Sequence, residues 1–306
     1  MAYTAVFGVV FVDLKGFPDN EYNPRGRNVG RVQVVHGGVS RNVAENLVNV
    51  GCSVEFVTML DTDDTGESVR RRLEERGVGL KYAAESVNGM GKWLVVMDHT
   101  GDCVASISQQ PDFSFLERMI DEKGDEIVKN CENIVLEVDM NASIAEKVYD
   151  LAEKYNKDVF VVVGNLGVIK ARQDFLARTR LFILNENEAE SLFGRKVNPA
   201  DPQSALKVAQ EEAARLGIRE IVVTLGAYGA VYCDMDAGAS GHIPAESTVM
   251  VDSTGAGDAF FSGTVAARTK GLNLGRAAAL GAHLAALTIR SSESACPKLE
   301  NFLPNE

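Results

Sequence analysis

The sequence predicts an α/β fold, a three-layer α/β/α sandwich around a mostly parallel sheet, with a small β-sheet lid. Three observations carry this expectation. Short runs rich in β-branched residues alternate with amphipathic stretches along most of the 306 residues, the pattern of strands joined by crossover helices. Most of the strand-like runs are apolar throughout, as strands covered on both faces are. Two regions break the alternation with hairpin character and no following helix.

The expected buried strands are 5–12, 53–60, 133–138, 158–163, 181–184, 220–225 and 229–233. Helical periodicity marks 41–50, 65–76, 143–156, 201–216, 258–270 and 274–290. The first irregular region, 13–36, holds Gly, Pro and Asn and then the alternating strand Arg31–Val35. The second, 90–110, holds Lys92–Met97, a turn at His99–Asp102 and Cys103–Ile107. These two segments are expected to form the lid, which would shut water away from chemistry beneath it; an ordinary edge hairpin is the alternative. No repeat or linker is visible, so the 306 residues are read as one domain. Trp93, Val95 and Met97 alternate on one face of the hairpin, which suits burial over a substrate or a homodimer seam between two lids.

Composition narrows the function. Apolar residues make up 45% and charged residues 24%, with net charge −12 and pI about 4.9. Such an acidic chain lacks the Lys/Arg density that holds a nucleic-acid backbone, although one triphosphate needs only local amides and local positive potential. The five cysteines are widely spaced, odd in number and without C-x-x-C, so neither a disulfide framework nor a zinc site is expected. The apolar start meets Asp13 early and has no basic leader, which reads as a strand rather than a signal peptide. No apolar run approaches the ~18 residues of a membrane span. A cytoplasmic location is expected.

The most informative stretch is Val251-Asp252-Ser253-Thr254-Gly255-Ala256-Gly257-Asp258. A small-residue turn opens a helix here, and the free amides of Gly255, Ala256 and Gly257 with the helix dipole form a socket for anions. Phosphoryl transfer needs such a socket, because charge spreads over the equatorial oxygens of the group in flight. Asp258 brings a carboxylate able to take a proton from an attacking hydroxyl; a helix cap is its other reading.

This element resembles the D-T-x-G-A-G-D signature of the ribokinase-like, or PfkB, family of carbohydrate kinases. Three further stretches follow the family order: His36-Gly37-Gly38-Val39-Ser40-Arg41-Asn42, Asn185-Glu186-Asn187-Glu188, and Thr224-Leu225-Gly226-Ala227-Tyr228-Gly229. The resemblance implies an ATP-dependent kinase acting on a hydroxyl of a small sugar or nucleoside, with Mg²⁺ and, as in many relatives, a monovalent cation such as K⁺. It implies Asp258 as base and residues 255–257 as anion hole. Asn185 and Glu188 fall where the family organises magnesium and phosphate, usually through water, and Asp252 where a monovalent cation binds. Thr224, Gly226 and Gly229 match nucleotide-binding positions. His283 matches a residue beside adenine, a core histidine being the alternative. Asp13, Gly38 and Asn42 match residues that hold the sugar.

Arg41 and the segment Glu137–Ser143 containing Asp139 look like the pseudouridine kinase branch, which would make both substrate contacts. Two other readings stay open: a sensor protein that kept the pocket without catalysis, and a kinase of the same fold for a heterocyclic alcohol. No G-x-x-x-x-G-K-[ST], G-x-G-x-x-G after the first strand, serine elbow or H-E-x-x-H is present.

Overall fold

The computed structural model describes residues 2–98 and 102–303. The chain opens with β1 (Tyr3–Phe7), then leaves the main sheet for β2 (Phe11–Pro18) and β3 (Gly30–Gly37). It returns through α1 (Val39–Asn49), β4 (Val54–Asp61), α2 (Asp64–Arg76) and β5 (Ala83–Ser86). A second excursion gives β6 (Gly91–Met97) and β7 (Cys103–Gln109), followed by α3 (Ser114–Asn130). Regular alternation then follows: β8 (Cys131–Glu137), α4 (Ala142–Tyr155), β9 (Val159–Val162), α5 (Gly167–Ala171), α6 (Asp174–Arg178), β10 (Leu181–Asn185), α7 (Glu186–Phe193), α8 (Pro202–Leu216) and β11 (Glu220–Thr224). The hairpin strands β12 (Ala230–Asp234) and β13 (Ala239–Ile243) precede two last helices, α9 (Ala256–Thr269) and α10 (Leu274–Thr288).

Nine strands form the main sheet in the order β13-β12-β11-β10-β9-β8-β1-β4-β5. Pairing is parallel from β11 to β5 and antiparallel at β12 and β13. Successive side chains alternate between faces, as the pleat requires. Ala5 and Phe7 join Leu116, Ile120, Ile144, Val148 and Ala205 on one side of the sheet. Val6 joins Val43, Leu47, Leu73, Phe260 and Leu284 on the other. Helices thus cover both faces, and the two cores share only the sheet between them.

The run read as one strand over 5–12 is divided in the structure. Tyr3–Phe7 pairs with β4 and β8, whereas Phe11–Pro18 belongs to a separate four-stranded sheet of order β3-β2-β6-β7. This small sheet is antiparallel except for the parallel β2–β6 pair. Asp13 therefore lies in the small sheet and not at the end of a main-sheet strand. The turn expected at 99–102 lies, apart from Asp102, outside the described residues.

Strand order reverses between β8 and β1, since β4 and β5 extend one way from β1 and β9 to β11 extend the other way from β8. Ligands of open parallel sheets bind outside the carboxyl ends of the strands at such a reversal. The small sheet projects over this point, because β2 leaves directly from the end of β1.

Candidate active site

Two cavities lie along the carboxyl edge of the main sheet. The first, of about 530 Å³, sits at the strand reversal and is lined by residues that include Phe11, Asp13, Gly38, Trp93, Glu137 and Asp139. The second, of about 650 Å³, is lined by Thr224, Gly226, Gly229, Ala256, Gly257 and Phe260, among others. Trp93 and Asp13 are register partners on β6 and β2, so the small sheet turns one face to the first cavity. Its other face carries exposed Val32, Val34, Leu94 and Ile107, with Val34, Leu14, Leu94 and Ile107 in one cross-strand row. The alternating set Trp93, Val95, Met97 is thus on the inward side, and the exposed apolar row lies opposite to it.

The head of α9 borders the second cavity. Gly255 caps the helix in the left-handed region with φ 80°, and a Cβ there would meet the Ser294 carbonyl oxygen at 2.0 Å. Only glycine fits that turn. Among the described residues, the N–H groups of Gly255, Gly257 and Asp258 have no hydrogen-bond partner. Ala256 differs from the expectation that its amide is free, because its N–H donates to the Ser253 oxygen at 3.2 Å. A Cβ on Gly257 would meet nothing within 4 Å, so open space faces the free amides. This is the geometry of an anion socket.

Asp258 follows on the same turn. Its Oδ2 accepts a hydrogen bond from Asn42 Nδ2 at 2.7 Å, which ties the helix beside the second cavity to the helix whose N-terminus, Gly38, borders the first. Burial pushes the Asp258 carboxyl up to about 6; the Asn42 hydrogen bond and the Arg41 charge oppose the rise, and Glu188 adds to it. Its proton affinity is thereby closer to neutrality than that of an ordinary aspartate, as suits a base.

Arg41 holds Asn42 in place and does not reach the cavity. Its side chain is fully buried. Nη1 pairs with Glu45 at 2.7 Å, and Nη2 donates to the His36 oxygen, to Asn42 Oδ1 at 2.5 Å and to Ser294 Oγ. Nε donates to the Gly37 oxygen at 3.2 Å. Ser294 Oγ also donates to Asn42 Oδ1 at 2.9 Å. With two donors on its oxygen, the Asn42 amide group must present its NH₂ to Asp258. The expectation that Arg41 contacts substrate is replaced by this positioning role, because its nitrogens are spent on protein oxygens. Arg72 extends the network by pairing with Glu45 at 2.9 Å and Glu293 at 2.8 Å.

Around the first cavity, Asp13 is partly buried and burial raises its carboxyl, with Lys15 and Arg41 opposing. Glu137 is the residue that sequence reasoning missed. It ends β8, lines the cavity, and accepts from Ser40 Oγ at 2.6 Å and the Val9 N–H at 3.1 Å, both through Oε2. Burial pushes its carboxyl up to about 7. The signal was present: an acid closes the apolar run Ile134-Val135-Leu136 of this strand, at the sheet edge where ligands bind. Asp139 lies two residues on, and its Oδ2 accepts the N–H groups of Gly164 and Asn165, each at 2.7 Å. Burial raises it to about 6.

Asn185 and Glu188 form a reciprocal capping box at the start of α7, with bonds of 2.8 and 2.9 Å. Asn185 is also the register partner of Thr224 on β11, so the box adjoins the second cavity without lining it. Burial raises the Glu188 carboxyl, and Glu188 in turn raises Asp139 and Asp258. A group so placed fits a magnesium–phosphate complex held through water, since Mg²⁺ keeps most of its hydration shell. Asp252 Oδ1 accepts the Thr254 N–H at 2.8 Å, which lowers its carboxyl. Among the described residues no cluster of three or more His, Cys, Asp and Glu side chains could hold a metal directly. His283 does not line the second cavity; its Nδ1 lies 2.9 Å from Glu246 Oε2, and Glu246 does line it.

Residues 1–300 match the family described as pfkB family carbohydrate kinase. The chain is 35% identical over 291 residues to a guanosine-inosine kinase of Exiguobacterium acetylicum, covering 95% of each protein. It is 26% identical to a pseudouridine kinase of Escherichia coli, covering 88% of this chain and 85% of the relative. In fold it resembles the Arabidopsis thaliana ribokinase complexed with ribose and ATP, with a TM-score of 0.84, 20% identity and 97% of each chain covered. Among the described residues no helix is long and apolar enough to cross a membrane. The chain belongs to the pfkB family of carbohydrate kinases, phosphotransferases that act on an alcohol group.

Proposed function

We propose that the chain transfers the γ-phosphoryl group of ATP to a ribosyl hydroxyl of a nucleoside, with guanosine and inosine as its reference substrates. The observation that carries this reading is the Asn42–Asp258 bond, which ties a carboxylate of raised proton affinity, on the turn that carries the anion socket, to the helix whose start borders the first cavity. The acceptor lies in the first cavity, held by Asp13, Gly38, Asn42 and Glu137. ATP lies in the second, with Thr224, Gly226 and Gly229 along its phosphates and ribose and His283 at the rim near the base. Asp258 takes the proton of the acceptor hydroxyl as its oxygen attacks the γ-phosphorus, and ADP leaves. The free amides of Gly255, Gly257 and Asp258 carry the charge that develops on the transferred group. Asn185 and Glu188 would hold a Mg²⁺–phosphate complex through water, and the metal would supply charge neutralisation for the leaving group; Asp252 would be the side chain for a monovalent cation such as K⁺.

The 35% relative supports a purine nucleoside over the pseudouridine suggested by motif detail, and a cavity of about 530 Å³ is in the range of sites that enclose a small ligand. ADP release with Mg²⁺-ATP and guanosine, inosine, adenosine, pseudouridine or ribose tests the assignment. Asp258→Asn is expected to lower turnover at least ~10²-fold with acceptor binding retained. Wild-type turnover in that variant, or no turnover of any alcohol by the wild type, refutes it. We also infer a homodimer through the apolar row Val34, Leu14, Leu94 and Ile107, since Val34, Leu94 and Ile107 are exposed around a half-buried Leu14. Sedimentation showing a monomer at high concentration removes that inference. We infer a cytoplasmic location, where ATP is available to the reaction.

A further inference from the structure

We propose that Asp139 reads the base of the acceptor: its second carboxylate oxygen accepts the ring N–H of a 6-oxopurine, and Asn165 beside it donates to the ring carbonyl. This rests on the reading of the first cavity as a nucleoside site and names the feature of the nucleoside that is selected.

The observation behind it is an oxygen without a partner. Asp139 lines the first cavity, and its Oδ2 takes two backbone N–H groups at 2.7 Å, which fixes the plane of the carboxylate. Its Oδ1 is buried and has no hydrogen-bond partner among the described residues. A buried carboxylate oxygen left empty is costly, and native structures keep such groups for a reason. No Lys or Arg within the described residues forms an ion pair with it, so the missing donor is expected from a ligand. Burial pushes the carboxyl only to about 6, so near pH 7.5 the acceptor form predominates.

The neighbouring groups complete the match. Asn165 donates its main-chain N–H to Asp139, and its side-chain Oδ1 accepts the Gly167 N–H at 2.8 Å. Its Nδ2 is thereby left as a donor with no partner among the described residues, on a residue that lines the same cavity. Acceptor and donor side by side complement the N1–H and O6 of hypoxanthine or guanine. Adenine presents the reverse order, with the N1 lone pair set against the carboxylate. Phe11, Trp93, Phe113 and Met140 supply apolar walls for a flat ring, and aromatic faces stack on any base without choosing between them. The choice therefore falls to Asp139.

Substitution by asparagine should reverse the reading. The amide oxygen keeps the two backbone N–H groups, and the NH₂ then occupies the Oδ1 position as a donor. Removal of a hydrogen bond to a charged group costs on the order of 10- to 100-fold. Two measurements test this. With the unmodified enzyme, 1-methylinosine should show kcat/KM at least ~10-fold below inosine, because methylation removes the N–H. With Asp139→Asn, kcat/KM for inosine should fall ~10- to 100-fold and the ratio of inosine to adenosine should shift towards adenosine. Binding of each nucleoside is followed independently through Trp93, the chain's one tryptophan, which lies in the cavity wall. Equal use of inosine and 1-methylinosine, or an unchanged inosine-to-adenosine ratio in Asp139→Asn, overturns the role of Asp139 and leaves the nucleoside kinase assignment standing. Phosphorylation of ribose but of no nucleoside by the wild type overturns both. The methylated substrate needs no variant, so it decides the matter even if Asp139→Asn fails to fold.

Discussion

Replacing Gly257 by alanine adds a single methyl group to the space in front of the free amides of α9. Beyond its chain neighbours and its own helix turn, that methyl would meet nothing within 4 Å, so packing gives no reason for destabilisation. Gly257 sits in the first turn of a helix, where alanine is the better residue by up to ~1 kcal/mol. Stability should be unchanged or raised by about 0.5 kcal/mol. The same methyl stands where the transferred phosphoryl group must approach, and a displacement of about 1 Å from the reactive geometry costs on the order of 10²-fold. Loss of one oxyanion donor has a comparable cost, ~10²–10³-fold. Because the socket serves the transition state, the loss should fall on kcat more than on the acceptor KM. The control is Gly255→Ala. Its methyl would lie 2.0 Å from the Ser294 oxygen at φ 80°, so this variant should lose the fold before it loses the chemistry. Thermal melts with coupled ADP-release kinetics read both quantities. Gly257→Ala with wild-type kcat would refute the anion socket, and Gly257→Ala with a collapsed melt would refute the claim that the space is empty.

The other expectations follow from the same contacts. The Asn42 hydrogen bond lowers a carboxyl that burial has raised to about 6. The acid limb of the wild-type rate profile should therefore centre near 6, and Asn42→Ala should move that midpoint upward; an unmoved midpoint would detach Asp258 from the limb. Glu137 titrates near 7 when folded, above its unfolded value near 4.3. The protein then holds more protons folded than unfolded between these limits, and stability declines as pH rises through them. Glu137→Gln should accordingly match the wild type below pH 4 and exceed it above pH 8 by on the order of 3 kcal/mol, while activity drops; equal melts at pH 8 would sink this. Arg41→Met removes one partner of a fully buried pair, a change that costs roughly 3–5 kcal/mol. Arg72 still compensates Glu45, so urea unfolding should show about 3 kcal/mol, and a loss below about 1 kcal/mol would mean that the network is not structural.

What the sequence disclosed, and what it hid, follows from how far each feature reaches along the chain. The α9 turn, the capping box of α7 and the turn at 225–229 are local, and their residue types show their geometry directly. The continuous apolar run from Val6 to Val12 has no period, so it cannot show that the chain changes sheets at Gly8–Val10. The helix α3 is hard to see in the sequence because Gly124 interrupts its pattern. In the structure that glycine lets α3 close on α4, since a Cβ there would lie 2.6 Å from Leu151 Cδ1. The sequence marks Arg41 as a substrate contact only through its likeness to the pseudouridine kinase branch; the fold brings Glu45, Ser294 and two carbonyls around it. Edge strands such as Ala239–Ile243 carry little β-propensity, and β13 exists because β12 offers it a partner.

The acceptor side is less legible in the sequence than the phosphate side for a physical reason. An anion socket is built from backbone amides of one turn, so a few consecutive residues specify it. The acceptor cavity is assembled from β2, β6, the ends of β1 and β8, the start of α1 and the loop at 164–165, which are far apart in sequence. Its specificity depends on which carboxylate oxygens remain free after the protein has used the others. Glu137 and Asp139 are two residues apart on the same strand end, yet Ser40 and Val9 occupy one, and Gly164 and Asn165 occupy the other. Composition and spacing cannot distinguish those assignments. The small sheet adds a further condition, because Trp93 and Asp13 reach the cavity only while its inward face stays over the reversal point. An apolar row on the outward face gives that sheet a reason to be held from behind. If two copies clasp there, dilution below the dissociation constant should raise the acceptor KM while leaving the ATP KM unchanged. Equal rises in both would place the effect on the whole fold and separate dimerisation from acceptor binding.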